Sequence, residues 1–138
     1  MQQRVDVLYV EDNEDYISFV GRAVKKINNN LVYHYVNDGT QAIEYFSKNL
    51  NGTTKLILLD INLPGIDGFE LLKKIRSMPS LKYVPVIMFS TSETVEDIRK
   101  SYDSGANAYL VKPAGIHELT ETLKSIFDFW LSLNCCYN

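Results

Sequence analysis

Glu11-Asp12, Asp60, Ser90-Thr91 and Lys112 are residues whose types could do chemistry together. Each has an ordinary use on its own. Acidic groups such as Glu11 and Asp12 suit a helix N-terminus, where they meet the positive end of the dipole. Asp60 could cap a turn, Ser90 could cap a helix, and Lys112 could be a solvated surface lysine. Taken as a set they do more. Carboxylates forced close together repel by about 4 kcal/mol per pair at an effective dielectric of 20, so a fold that gathers three of them needs a cation. An all-oxygen ligand set favours a hard ion, and Mg2+ characteristically takes one or two carboxylates with waters and phosphate oxygens. A carboxylate beside such an ion can act as a nucleophile and accept a phosphoryl group as an acyl phosphate. Lys112 would pair with the phosphoryl oxygens and the Ser90 hydroxyl would donate to another. Positioning and charge neutralisation then supply most of the catalysis.

The elements that must position these residues alternate along the chain. Val5–Val10 reads as a β-rich strand ending at Glu11-Asp12, and Ile17, Val20, Val24 and Ile27 give a helical stripe from Glu14 to Ile27. Leu31–Val36 is a second strand, followed by a helix with Ala42, Ile43 and Phe46 inward. Leu56–Asp60 is a continuous apolar run of the kind covered on both faces in a parallel sheet. The Pro- and Gly-containing loop Leu63–Gly68 leads to a helix patterned by Phe69, Leu71, Leu72 and Ile75. Val84–Phe89 is the fourth strand. The next helix, Glu93 to Ser104, is expected to turn Val95, Ile98 and Tyr102 inward and to stop at Gly105. Ala108–Val111 is the fifth strand, and a last helix runs from Ile116 to Leu131. Five β-α units imply an α/β fold with a parallel sheet and helices on both faces. Ligands in such sheets bind at the carboxyl ends of the strands, which is where all the residues above fall.

Composition narrows the classes. Over 138 residues, 17 acidic and 14 basic side chains leave a net charge of −3, with no basic field for a nucleic-acid backbone. No apolar run approaches the roughly 20 residues of a membrane span, and the N-terminus lacks a signal-like apolar segment, so a cytoplasmic domain is expected. Cys135 and Cys136 are adjacent and have no second pair to build a zinc site, while His34 and His117 lie in separate elements.

Four segments resemble the response-regulator receiver family of two-component signalling: Tyr9–Asn13, Leu58–Gly68, Val86–Ser90 and Gly105–Pro113. They fall in order across essentially the whole chain. The resemblance implies a flavodoxin-like (βα)5 doubly wound sandwich with strand order 2-1-3-4-5, an order that patterning alone does not fix. It implies that Asp60 is the phosphoacceptor. Mg2+ would be bound by Asp12, Asp60 and the backbone carbonyl of Asn62, with Glu11 acting through a metal-bound water. Lys112 would pair with the phosphoryl group. Ser90 and Tyr109 would be the switch hydroxyl and switch aromatic, reshaping the surface of the fourth helix, fifth strand and fifth helix. Serine at position 90 replaces the commoner threonine, and Thr91 is larger than the residue many members carry there. Both changes bear on coupling and access.

Residues 1–138 are expected to be a single receiver with no output domain, a stand-alone regulator of the chemotaxis type and not an enzyme beyond its own phosphorylation and dephosphorylation. A histidine kinase or phosphotransfer protein would donate the phosphoryl group, and a downstream protein would receive the signal in trans. The Phe129-Trp130-Leu131 ending and the Phe89-Ser90-Thr91 segment resemble small regulators that partner with phytochrome-type kinases. Phe129 and Leu133, off the inner stripe, suggest a partner or homodimer face, and no contact with nucleic acid or membrane is expected. Two other readings stay open. One is an aspartyl-phosphate phosphatase of the haloacid-dehalogenase type, which would need an acid two residues after Asp60 where the chain has Asn62. The other is a degenerate receiver that only binds partners. Flavin binding lacks its phosphate loop.

Overall fold

The computed structural model describes residues 4–49 and 53–136. Its five main strands are β1 (Val7–Val10), β2 (Tyr33–Val36), β3 (Ile57–Leu59), β4 (Val86–Ser90) and β5 (Ala108–Val111). All pair in parallel, in the order β2-β1-β3-β4-β5, as expected for the flavodoxin-like sandwich. Helices α1 (Glu14–Ile27), α2 (Gly39–Lys48), α3 (Gly68–Ser77), α4 (Val95–Asp103) and α5 (Ile116–Phe127) alternate with them.

Side chains on successive strand positions point to opposite faces, which splits the core into two layers. Val7 and Tyr9, with Leu58, Ile87 and Phe89, pack against Ile17, Val20 and Val24 of α1 and Leu119, Leu123 and Phe127 of α5. Leu8 and Val10, with Ile57, Leu59 and Met88, pack against Phe46 of α2 and Leu71, Leu72 and Ile75 of α3. Burial on both sides is why β1, β3 and β4 are dominated by apolar side chains, with Ser90 the polar end of β4. Among the described residues no helix is long and apolar enough to cross a membrane.

Three expectations need correction. The first strand breaks at Asp6: the amides of Asp6 and Val7 both reach the Val32 carbonyl (2.9 and 3.1 Å), and the Asp6 carboxylate accepts the Val32 amide at 2.8 Å. Arg4–Val5 pairs instead with Thr53–Thr54. The inner face of α4 is not the one its apolar residues suggested. Val95 is 80% exposed and Tyr102 50%, whereas the buried residue is Ser101, whose hydroxyl donates to the Asp97 carbonyl. Three spaced apolar side chains define too weak a stripe, and α4 lies beside the edge strand β5, where a small residue allows close approach. Finally, α5 ends at Phe127 and continues as a π-helical stretch, Asp128–Leu133, closed by the Asn134 amide donating to the Phe129 carbonyl at 2.7 Å. Phe127 is buried and Trp130 half-buried, while Phe129 and Leu133 face solvent.

Candidate functional site

β1 ends by delivering Glu11 and Asp12, and Asn13 immediately caps α1, its Oδ1 accepting the Tyr16 amide at 3.0 Å. The short link keeps both carboxylates at the sheet edge. Glu11 is buried and fully engaged: Lys112 Nζ and the Tyr9 hydroxyl (2.8 Å) donate to Oε1, and the Asn13 amide donates to Oε2 at 3.2 Å. Asp12 is exposed.

Asp60 follows β3, its amide held by the Val10 carbonyl at 3.1 Å, and its Oδ1 accepts the Ile61 amide at 2.9 Å. The loop after it folds back so that the Gly68 amide donates to the Ile61 carbonyl at 2.8 Å. A Cβ at position 68 would collide with the Asp60 carbonyl and come within 2.7 Å of Ile61 Cα, so only glycine fits there. Asp67 caps α3 by accepting the Glu70 amide at 2.9 Å. Asn62 lies exposed in this loop.

β4 delivers Ser90, fully buried, whose Oγ accepts the Ser92 amide at 3.2 Å. Directly after β5, the Lys112 amide donates to the Ser90 carbonyl at 2.8 Å, which sets the depth at which the lysine enters. Its ammonium is 3.5 Å from Asp60 Oδ2 and bonded to Glu11, with the side chain only 7% exposed. Tyr109, half-buried on β5, donates its hydroxyl to the Ser92 carbonyl at 2.8 Å. Ser90 and Tyr109 thus hold the two sides of one residue in the β4–α4 loop.

Glu11, Asp12 and Asp60 each offer a carboxylate oxygen within 4.8 Å of the others. These hard oxygen donors suit a divalent cation of the Mg2+ or Mn2+ type. The electrostatics agree. Burial pushes Asp60 up to about 6, with Glu11 adding and Lys112 and the Ile61 amide opposing. Burial would raise Glu11 as well, but Lys112, Tyr9 and Asn13 outweigh it and hold that carboxyl below its ordinary range. Lys112 bonds Glu11 and lies 3.5 Å from Asp60 Oδ2, and its pull on Asp60 does not offset burial.

The structure therefore gathers Glu11, Asp12, Asp60, Ser90 and Lys112 at one edge, with Tyr109 one step behind them. Sequence reading missed Tyr9 and Tyr16. Tyr9 is buried between strand and helix, and its phenol, raised by burial and then by Glu11, stays a neutral donor. Tyr16 lies on α1, its ring 4.9 Å from Lys112 Nζ and its hydroxyl donating to the Pro113 carbonyl at 2.9 Å. A polar-tipped aromatic in an otherwise apolar strand was a usable signal for Tyr9. Nothing local marks a contact between positions 16 and 113.

Comparison with known proteins follows the same lines. The sequence profile of the response regulator receiver domain matches residues 7–124. The response regulator Rcp1 of Synechocystis sp. is 33% identical over 131 residues, covering 91% of this chain and 88% of that protein. The probable methanogenesis regulatory protein FilR2 of Methanothrix harundinacea is 31% identical over 131 residues, covering 93% and 84%. The crystal structure of the phosphorylated cyanobacterial phytochrome response regulator RcpA superposes with a TM-score of 0.88 at 35% identity, covering all of both chains. The Mn2+-bound form of Rcp1 gives a TM-score of 0.84 at 30% identity, covering 97% of this chain and 99% of that one. The matched span holds the sheet and every residue of the acidic edge, and the chain belongs to the response regulator receiver domain family of two-component systems.

Proposed function

We propose that this receiver accepts a phosphoryl group on Asp60 and acts as a Mg2+-dependent signalling switch. The observation that carries the reading is the placement of Asp60: its Oδ2 lies 3.5 Å from Lys112 Nζ, and its carboxylate shares a cluster with Glu11 and Asp12. Mg2+ would be held by Asp12, Asp60 and the Asn62 carbonyl, with Glu11 acting through water. When bound, it neutralises charge on the carboxylates and on the phosphoryl oxygens. A divalent-ion site is supported by the Mn2+-bound form of Rcp1.

In the transfer, an Asp60 oxygen attacks phosphorus in line. The new O–P bond forms as the P–N bond to the donor imidazole breaks, and its electron pair returns to nitrogen. Lys112 moves from Glu11 towards the added oxygens. The Ser90 hydroxyl turns to donate to another, and in doing so releases the Ser92 amide. Ser92 is also where Tyr109 is anchored, so the β4–α4 loop and the Tyr109 ring shift together.

The surface this would change already exposes Val95 (80%), Tyr102 (50%), Val111 (39%) and Ile116 (41%). The donor is a histidine kinase, phytochrome-type by the likeness to RcpA, and residues 1–138 act as one receiver unit in the cytoplasm through contact with another protein. Incubation with acetyl phosphate and Mg2+, followed by intact mass, tests the reading. One added phosphoryl group is expected, absent in Asp60→Asn and absent in EDTA. Labelling retained in Asp60→Asn overturns it, and no labelling of the wild type favours a binding-only receiver.

A further inference from the structure

Lys112 must leave Glu11 for an incoming anion, yet its stem and ammonium need a wall to keep them at the mouth of the acidic cluster. That wall is the Tyr16 ring, 4.9 Å from Nζ. Tyr16 is itself fixed from four directions. Its amide is capped by Asn13 (3.0 Å), its ring lies edge-on to Phe19 (5.6 Å) and Phe89 (6.0 Å), and its hydroxyl donates to the Pro113 carbonyl at 2.9 Å. The last bond ties α1 to the backbone residue directly after Lys112. Ring and hydroxyl thus grip the same lysine from its head and from its main chain.

We propose that Tyr16 is a positioning residue for Lys112, seating the ammonium by its ring and pinning the β5–α5 corner by its hydroxyl. This rests on the reading of Asp60 as phosphoacceptor. The negative ring face holds a cation without supplying a counter-ion. The lysine can therefore exchange Glu11 for phosphoryl oxygens without losing its seat. A tyrosine performs both tasks, phenylalanine only the first, and leucine neither. Tyr16 makes no hydrogen bond to the three carboxylates, its bonds going to Asn13 and Pro113, so its loss should be felt first at Lys112 and only weakly at the cation site.

Three measurements on wild type, Tyr16→Phe and Tyr16→Leu test the proposal: the rate of acetyl phosphate labelling, Mg2+ affinity by calorimetry, and the rate at which acetic anhydride acylates Lys112, read by peptide mass mapping. Labelling should slow by about tenfold in Tyr16→Leu and about twofold in Tyr16→Phe, while Mg2+ affinity changes by less than about twofold in either. Lys112 should acylate faster in the order wild type, Tyr16→Phe, Tyr16→Leu. Wild-type rates of labelling and acylation in Tyr16→Leu overturn the proposal. So does loss of Mg2+ affinity in step with labelling in both variants, which marks a general collapse of the site. Should Tyr16→Leu fail to fold, Tyr16→Phe decides by its own twofold change. If the wild type takes no label, the Asp60 reading fails, and Lys112 acylation still judges Tyr16.

Discussion

At the scale of single residues, the site is defined by an unequal division of charge. Lys112 spends its ammonium mainly on Glu11, and Asp60 stays raised to about 6 by burial and by Glu11. The linkage has a definite sign. Below the unfolded value near 3.8, both states hold the proton and nothing is lost. As pH rises towards 6 the unfolded chain ionises first, the folded state binds more protons, and stability falls. Above 6 the loss is complete. Metal-free Asp60→Asn should therefore be more stable than wild type at pH 7, by about 2 kcal/mol, with the gap closing below pH 4. Urea denaturation in EDTA at the two pH values checks this, and an equal gap at both would contradict it. If Asp60 helps to hold the ion as proposed, Mg2+ should stabilise the wild type and not Asp60→Asn.

At the scale of elements, short links between strand and helix do the positioning. Asn13 and Asp67 cap their helices within two residues and seven residues of a site carboxylate, so strand ends and helix starts share one rigid edge. Gly68 is the tightest point. Gly68→Ala should destabilise the protein by about 2–3 kcal/mol and slow Asp60 labelling, because the added Cβ pushes the Asp60–Ile61 backbone. A thermal melt paired with the labelling rate reads both effects. A second clamp sits at the opposite edge. Arg76 of α3 donates to the carbonyls of Gly105 (2.9 Å) and Val84 (2.6 Å) and to Asn107 Oδ1 (2.7 Å), which in turn accepts the Val86 amide at 2.8 Å. Arg76→Ala removes the partner of several part-buried groups, and should cost about 2–4 kcal/mol in denaturant unfolding with little change in Mg2+ affinity.

Those elements were unevenly legible in the sequence. α1 was readable because Ile17, Val20, Val24 and Ile27 keep a clear apolar stripe, which the structure then caps with Asn13. The strands were readable as apolar runs, but their ends were not, since Asp6 diverts its pairing through a side-chain bond that no periodicity encodes. α4 misled because Val95 and Tyr102 face solvent and only Ile98 of its apolar residues is half-buried. The carboxylates and Lys112 were legible as strand-end residues. The Tyr16–Pro113 and Arg76–Asn107 bonds were not, because contacts 97 and 31 residues apart depend on sheet order, which patterning does not set.

At the scale of the whole molecule, the sheet order brings β1, β3 and β4 side by side, so three strand ends deliver Glu11, Asp12, Asp60 and Ser90 to one crevice, and β5 closes it with Lys112. Both core layers hold that edge still, while α4 packs lightly and leaves Val95 and Tyr102 in solvent. A rigid site beside a lightly packed α4 is what the proposed switch would need. The α4 region is accordingly expected to show the largest change in amide hydrogen exchange on phosphorylation, and α1 a small one.

Asp60 itself is proposed to carry the phosphoryl group. Borohydride reduces an acyl phosphate to the alcohol, so treating the labelled protein and sequencing its peptides by mass spectrometry locates the modified carboxyl. Homoserine at position 60, appearing only with Mg2+ and phosphodonor, is the predicted result. Homoserine at Asp12 or elsewhere, with Asp60 unchanged, would contradict it.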